Sequence, residues 1–579
     1  MSSVLTNKFR IHNAKSFVEG FSEAVPTNIY TAIGKVTPWS ATDTYSGAGS
    51  STSESNPPTP LDHVQNENEV WRNMIAAKKI KTNDVVHVIP RVNWEANKIY
   101  TMYTDTDETL LVDVINSSTP KPFYVMTDEF NVYKCLANND TTSGGAVGTT
   151  STVKPTGTGT SIIATADGYK WKFMYQISAS DALKFVTPNY IPVDTVRRAN
   201  GFLANTNDGS PGQNQFDVEN TAASAGGGNG AIEVVQLTTR GSGYLGEVGT
   251  LAGSPTVSTV TIEGLASGFA NSQIVNSDIY FTSGTQSGKG GTITAYNHST
   301  KALTFTPALS GAPTSGDGYA IGPKVVISGD GQGANVRATI NVSTGAINAV
   351  SIINIGNNYS NASITLVSNA TGLSISDASL TPIIGPVGGH GSDATKELGG
   401  FYVLTNARLE YGESNNFTTN NDFRKVGIVA QPKFANGDVA TSSVIDQATT
   451  IVLNSWNGTQ FAADELVTGS VSGCTGRVVD FTGNNTLRLT DVIPNGNSTT
   501  VGFDGIFGTF ISNSTSQDVI AANTTGAGGS GASATANGAG AATGGDLKKF
   551  SGDVLYVENR SPVTRANDQI EDVKLIIEF

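Results

Sequence analysis

The chain has 579 residues, with 35 Lys plus Arg against 49 Asp plus Glu and a formal net charge of −14. Charged residues are 15% of the total, against about 25% in a typical globular protein. At 38% hydrophobic it is too apolar for wholesale disorder, and it lacks the basic blocks with which nucleic-acid binders neutralise phosphate.

No run reaches the roughly 18 apolar residues of a membrane span. The start, Met1-Ser2-Ser3-Val4-Leu5-Thr6-Asn7-Lys8, has no signal-peptide apolar region. A soluble protein that matures in a reducing cytoplasm is expected. Sixty-five glycines among Ser, Thr and Asn predict short strands joined by many turns. The fold class read from composition is therefore mainly β.

In chain order, Asn13 can cap a first helix carrying Ala14, Phe17, Val18 and Phe21 on one face. Asn28–Ile33 reads as a strand that Gly34 begins to end. A Ser/Gly-rich loop from about Ser46 closes at Pro57, Pro58 and Pro60. A second helix is predicted with Thr59 as N-cap and Pro60 at its first position. Its stripe would be Leu61, Val64, Trp71 and Ile75, with Lys78, Lys79 and Lys81 near its end. Such a stripe packs on its own domain or docks on a partner.

Val85–Ile89, stopped by Pro90, reads as a buried strand, and His87 within it as a hydrogen-bonded core residue. Further strands are expected at Tyr124–Met126, Asn131–Leu136 and Tyr169–Tyr175, the last with one apolar face. Past residue 200 the composition changes. Positions 1–200 hold 37 charged residues, whereas 201–390 hold 15, so the later zone reads as weakly charged β modules.

That zone contains a repeat. Residues 230–244 and 345–359 agree at six of fifteen positions, and both end in G-x-x-Y at Gly241/Tyr244 and Gly356/Tyr359. Duplicated β modules are expected. Another β-rich stretch follows at about 442–521. Residues 526–546 are almost all Gly, Ala, Ser, Thr and Asn and read as a linker. Val573, Leu575, Ile577 and Phe579 alternate with Lys574, Ile576 and Glu578, which predicts a terminal strand tied into a sheet by a buried Phe579.

Chemistry-bearing patterns are sparse. Cys135 and Cys474 stand 339 positions apart, and His12, His63, His87, His298 and His390 are scattered without ligand spacing, so no zinc site is expected. Gly388-Gly389-His390-Gly391-Ser392-Asp393 matches the opening of the calcium-binding nonapeptide. It is a single copy with Thr395 where an apolar residue belongs, and it reads as a Gly-rich turn more readily than as an ion site. Asp105, Asp107 and Glu108 read as a solvated turn, because Leu110 and Asn116 replace the Gly and Glu of an EF-hand. Gly329, Gly331 and Gly333 lack the final spacing of a dinucleotide loop. No catalytic, cofactor-binding or metal-binding residue is singled out, and no cofactor is implied. The residues by themselves describe a non-enzymatic β-rich protein.

Several segments recur in an order that resembles a known family. They are Thr6-Asn7-Lys8-Phe9-Arg10, Pro38-Trp39-Ser40, Val88-Ile89-Pro90-Arg91 with Asn93-Trp94, Val132–Leu136 and Asp167–Trp171. Asp422–Val429 continues the series, as do Ser551-Gly552, Tyr556, Glu558-Asn559-Arg560, Pro562, Asp568-Gln569 and Glu571. Together they look like the baseplate wedge subunit, protein eight of the wedge, of T-even contractile-tailed phages.

The T-even member is much shorter, so the resemblance implies a core in three pieces with long β-rich insertions. The expected divisions are 1–200, 396–435 and 547–579 for the core, 201–395 and 436–525 for the insertions, and 526–546 for the linker. The resemblance further implies a β-sandwich core with helices on connecting loops, a homodimer, other wedge subunits as partners, and no catalytic site. It places the chain in the virion tail baseplate, assembled in the host cytoplasm, where it relays host contact to sheath contraction. Val64, Trp71, Ile75 and Trp94 are candidate packing anchors. The alternative is host-surface or glycan recognition through the insertions, whose polar, weakly charged composition suits such contact. A cell-wall hydrolase is the remaining reading, and nothing in the residues supports it.

Overall fold

A computed structural model describes the chain except residues 1–3, 41–42, 44–52, 116–117, 140–147, 199–200, 203–207, 225–228, 264–270, 368–374, 414–416, 418, 420, 484, 513–515, 523–529, 539–541 and 567. The expected loop from Ser46 up to residue 52, Asn116, and parts of the 526–546 segment lie outside the described residues. The fold is mainly β, in several antiparallel sheets. The chain divides into two compact units, Met1–His12 with His87–Tyr402 and Phe579, and Asn13–Val86 with Val403–Glu578.

The second unit joins distant parts of the chain in one five-stranded sheet. Its order is Val444–Asp446, Met74–Lys79, Ile29–Gly34, Asp422–Ala430 and Asp553–Thr564. Ile29 pairs with Ala430 and Gly34 with Lys425, while Ile428 pairs with Tyr556 on the other side. Asp422–Ala430 is buried at every position but its first, although it carries Arg424 and Lys425. Each charge is matched locally. Arg424 Nε lies 2.9 Å from Glu54, its Nη2 lies 3.2 Å from Asp422, and Nη1 donates to Val36 O at 2.5 Å. Lys425 Nζ lies 2.7 Å from Glu69. Removing one partner of such a buried pair typically costs about 3–5 kcal/mol.

Helix Val64–Asn73 covers this sheet, with Val70 and Trp71 in a core that includes Tyr30, Ala32, Met74, Val429 and Ile445. It is shorter than its sequence stripe predicts. Thr59, Pro60 and Leu61 precede it, and Ile75, Lys78 and Lys79 belong to strand Met74–Lys79. The run Met74–Ala77 is fully buried between two strands, so sheet pairing overrides the helical period. Trp71 and Ile75 are core residues, but Val64 is 67% exposed and anchors nothing in this unit. The first helix, Asn7–Glu19, begins before its expected cap at Asn13.

Residues 449–543 of the same unit close on themselves. The strand order is Thr486–Ile493, Thr475–Thr482, Leu466–Gly469, Val519–Ala522, Ser533–Ala536, Thr449–Trp456 and Ala542–Thr543. Thr449–Val452 also pairs with Thr486–Leu489, so six strands form a ring around Ile451, Val467, Val478, Leu487 and Ile520. Closure leaves those six strands without a free edge. The described part of the expected linker is therefore structural. In Ser533–Ala536 the Ala side chains are buried and Ser533 and Thr535 are not, a period-2 strand built from small residues.

The first unit contains the sheet Tyr124–Met126, Asn131–Asn138, Tyr169–Gln176 and Ile163–Ala164. Its core holds Phe123, Tyr133, Trp171 and Phe173, with Trp94 packed at the side. Arg10 closes this unit's ends: its guanidinium lies 3.7 Å over Phe401, and its Nε donates to Phe579 O at 2.5 Å. Residues 247–322 form a six-stranded sheet with its own core of Ile279, Phe281, Leu303, Phe305 and Tyr319. Its end strands meet at the Ala252–Thr261 bridge.

The two repeat copies interlock. Tyr359 N donates to Gly230 O at 3.2 Å, and Tyr244 N donates to Gly345 O at 3.0 Å. Gly230 and Gly345 both have φ of 63°. A Cβ on either would strike the other copy's Tyr backbone, at 2.0 Å from Tyr359 O or 2.7 Å from Tyr244 N. Gly is thus required twice for one reciprocal contact. Gly331, from the rejected dinucleotide pattern, makes room for the Tyr359 ring in the same way.

Candidate functional site

A dense group of buried charge lies in the first unit, where the chain returns from the repeat module through Gly385–Glu397. Strand Asn131–Asn138 is buried on both faces, which takes Lys134 out of solvent. Lys134 Nζ lies 2.7 Å from Glu397 Oε2, 3.1 Å from His390 Nδ1, and 4.0 Å over the Tyr103 ring. His390 packs edge-on against that ring at 4.8 Å. Burial pushes Glu397 up, but Lys134 and His390 outweigh it and hold the carboxyl at about 2. For Lys134 burial is the larger effect, so its ammonium is easier to deprotonate than an ordinary lysine, against the opposing pull of Glu397.

The expected Gly-rich turn is part of this cluster. Glu397 Oε1 accepts from Gly391 N at 2.8 Å, from Asp393 N at 3.3 Å and from Ser392 Oγ at 3.4 Å. Gly388, Gly389 and Gly391 have φ between 83° and 95°, and the turn aims N–H groups inward at a carboxylate. That polarity suits an anion, whereas calcium needs converging oxygens. Asp393, the residue a calcium site would use, accepts from Lys396 N at 2.9 Å as the cap of the short helix Ala394–Glu397. Among the described residues no group of three His, Cys, Asp or Glu side chains is placed to hold a metal. His390 Nδ1 is occupied by Lys134, so it does not serve Ser392, whose single hydroxyl proton is shared between Glu397 Oε1 and Val387 O, the latter at 3.3 Å.

Other predicted residues fall as follows. His87 is buried and its Nδ1 lies 3.0 Å from Gly400 O, a hydrogen-bonded core histidine as expected. Trp94 Nε1 donates to Ser151 Oγ at 3.1 Å. Asp107 pairs with Lys121 at 2.8 Å, while Asp105 and Glu108 lie in the same turn region. Lys172 is a surprise. Its strand is expected to have one apolar face, and Lys172, on the other face, is also buried, its Nζ donating to Thr160 O at 2.6 Å. Helix Pro211–Ser224 packs on this strand and covers that face. Lys134, Glu397 and Glu233 were not legible as a site, because they meet from positions up to 263 residues apart.

For surfaces, the five-stranded sheet ends at the 12-residue strand Asp553–Thr564, on which Leu555 is 52% exposed. A long edge with exposed apolar side chains is a template for pairing with another chain. In the first unit Val4, Leu5 and Phe9 are also exposed.

Residues 3–153 match the family described as Bacteriophage T4, Gp8. Baseplate wedge protein gp8 of Enterobacteria phage T4 is 24% identical over 211 residues, covering 33% of this chain. The match spans 60% of that relative's own length. The resemblance to the T-even wedge subunit read from the sequence is thus found in the comparisons: this chain is similar to the baseplate wedge protein gp8 family.

Proposed function

We propose that this chain is a non-enzymatic structural component of a contractile tail baseplate wedge. It joins wedge subunits, pairs with a second copy of itself, and relays host contact to sheath contraction. The observation that carries the proposal is the match of residues 3–153 to the gp8 family. The sheet that unites segments near residues 30, 75, 425 and 560 supports it, because a joint built from distant chain segments transmits force without unravelling from one end. Specific joints need roughly 1,000 Å² or more of buried surface, and the exposed edge strand Asp553–Thr564 offers a place to begin one. On this reading the core pieces are 1–200, 396–435 and 547–579, and the intervening β modules are decoration. The partners on this reading are a second copy and other wedge subunits, with a host-surface glycan as a further candidate and neither nucleic acid nor membrane involved, and the protein resides in the virion after assembly in the host cytoplasm.

An amber codon in the gene tests this. Electron microscopy of lysates from a non-suppressing host is expected to show particles without complete baseplates, restored when the wild-type chain is supplied from a plasmid. Normal baseplates without the chain would reject the proposal.

A further inference from the structure

The first unit holds a cavity of about 280 Å³ beside the buried charge cluster, lined by strand Tyr169–Gln176, helix Pro211–Ser224 and the return segment at His390. This is close to the lower end of small-molecule pockets, roughly 300–1,000 Å³, and leaves room for one sugar ring. His390 is 1% exposed and lines this space, and its Nε2, itself buried, has no hydrogen-bond partner among the described residues.

The state of that nitrogen follows from its neighbour. Lys134 Nζ lies 3.1 Å from Nδ1 and, as an ammonium, has no lone pair to offer. Nδ1 must accept, so the neutral ring carries its proton on Nε2. That N–H is a buried donor in need of an acceptor, and such groups are rarely left unmatched. Glu233 Oε2 is 3.9 Å away, beyond hydrogen-bond reach. Glu233 Oε2 already accepts from His390 N at 3.3 Å, and an oxygen that accepts from Nε2 and donates to Glu233 would join the two once a small side-chain shift opens the way to Nε2; a hydroxyl does both.

Charge narrows the ligand further. Lys134 and Lys172 balance Glu397 and Glu233 around a neutral ring, so an anion or cation would add unmatched charge beside them. Ile162 and Ile355 give the cavity an apolar wall for a C–H face, and Thr221 stands exposed at its rim.

We propose that this cavity binds a neutral hydroxylated ligand of one sugar residue, through a hydroxyl bridging His390 Nε2 and Glu233. The proposal does not rest on the wedge role and stands or falls separately from it. The test is saturation-transfer NMR on the full chain with D-glucose, D-galactose and N-acetyl-D-glucosamine. Each is presented at about 10 mM, enough to occupy a site of millimolar affinity, both as the free sugar and as its methyl glycoside. Transfer to at least one sugar is expected. Transfer to the glycoside identifies a glycan end as the source, and transfer to the unprotected form alone identifies a free sugar. Thr221→Trp fills the rim from an exposed helix position and is expected to abolish the signal. Glu233→Ala is expected to reduce it at least tenfold, with circular dichroism unchanged in both variants. No transfer to any of the six probes, the outcome for a cavity that holds only water, overturns the proposal, as does transfer that persists in either variant.

Discussion

Lys134→Met isolates the energetics of the buried cluster. The substitution keeps the length of the side chain but leaves Glu397, 6% exposed as a residue, with no cation at 2.7 Å. The carboxyl is held at about 2 instead of its ordinary 4.5, which corresponds to about 3 kcal/mol of stabilisation of the ionised form. Breaking a buried pair costs about 3–5 kcal/mol in general, so the two routes agree. The sign follows from linkage. A depressed carboxyl contributes stability that is present above pH 4.5 and is lost as pH falls from there through about 2. Wild type is therefore expected to lose stability over that acid window, and Lys134→Met is expected to lose much less, having forfeited it already at neutral pH. Urea unfolding followed by tryptophan fluorescence reads both effects, since Trp171 and Trp94 report on this unit. The double variant Lys134→Met, Glu397→Gln removes both charges and is expected to be at least about 1 kcal/mol more stable than the sum of the single losses predicts. Additive losses, or a single loss below about 1 kcal/mol at pH 7, would refute the reasoning.

Glu219 gives the opposite pH sign. Its carboxylate is buried on helix Pro211–Ser224, accepting from Thr195 Oγ1 at 2.9 Å and Gln215 Nε2 at 2.8 Å, and burial pushes it up to about 7. Stability is expected to fall as pH rises from 4.5 to about 7, and Glu219→Gln, whose amide oxygen can still accept from Val196 N and Gln215 Nε2 while its NH2 donates to a reoriented Thr195 hydroxyl, is expected to remove that slope in urea melts at pH 5 and pH 8. Gly34→Ala would place a Cβ 2.3 Å from Asn73 O, so a loss of about 2 kcal/mol or more is expected from the forced backbone shift; a fully stable variant in thermal unfolding contradicts the observed register. Cys135 and Cys474 are both buried free thiols, and burial raises Cys135 far above the usual range and Cys474 to about 12. Neither is expected to react with iodoacetamide at pH 8 in the native chain, and both are expected to react in urea, as mass spectrometry will show.

Strands with strong local character were legible. Tyr124–Met126 was read at its observed bounds, and Asn131–Asn138 and Tyr169–Gln176 within two residues, because buried aromatics and β-branched residues specify a pleated surface directly. The repeat was also visible, since its Gly and Tyr positions are set by one reciprocal backbone contact. What the sequence hid depends on distant partners. Ile75 continued a helical stripe, yet the strands on either side claimed it. Ser533–Ala536 looked like linker, because its inward residues are only Ala and the barrel interior had already been filled by Phe461, Phe510 and Leu487. The burial of Lys172 was hidden too, since no local pattern announces the helix that covers it.

The proposed wedge role is tested most directly by electron cryo-microscopy of whole tails from a phage carrying this gene. The account predicts density for it in the baseplate, with a second copy and other wedge subunits in contact with its surface. Density elsewhere along the tail, or a mature virion without the chain, would contradict it.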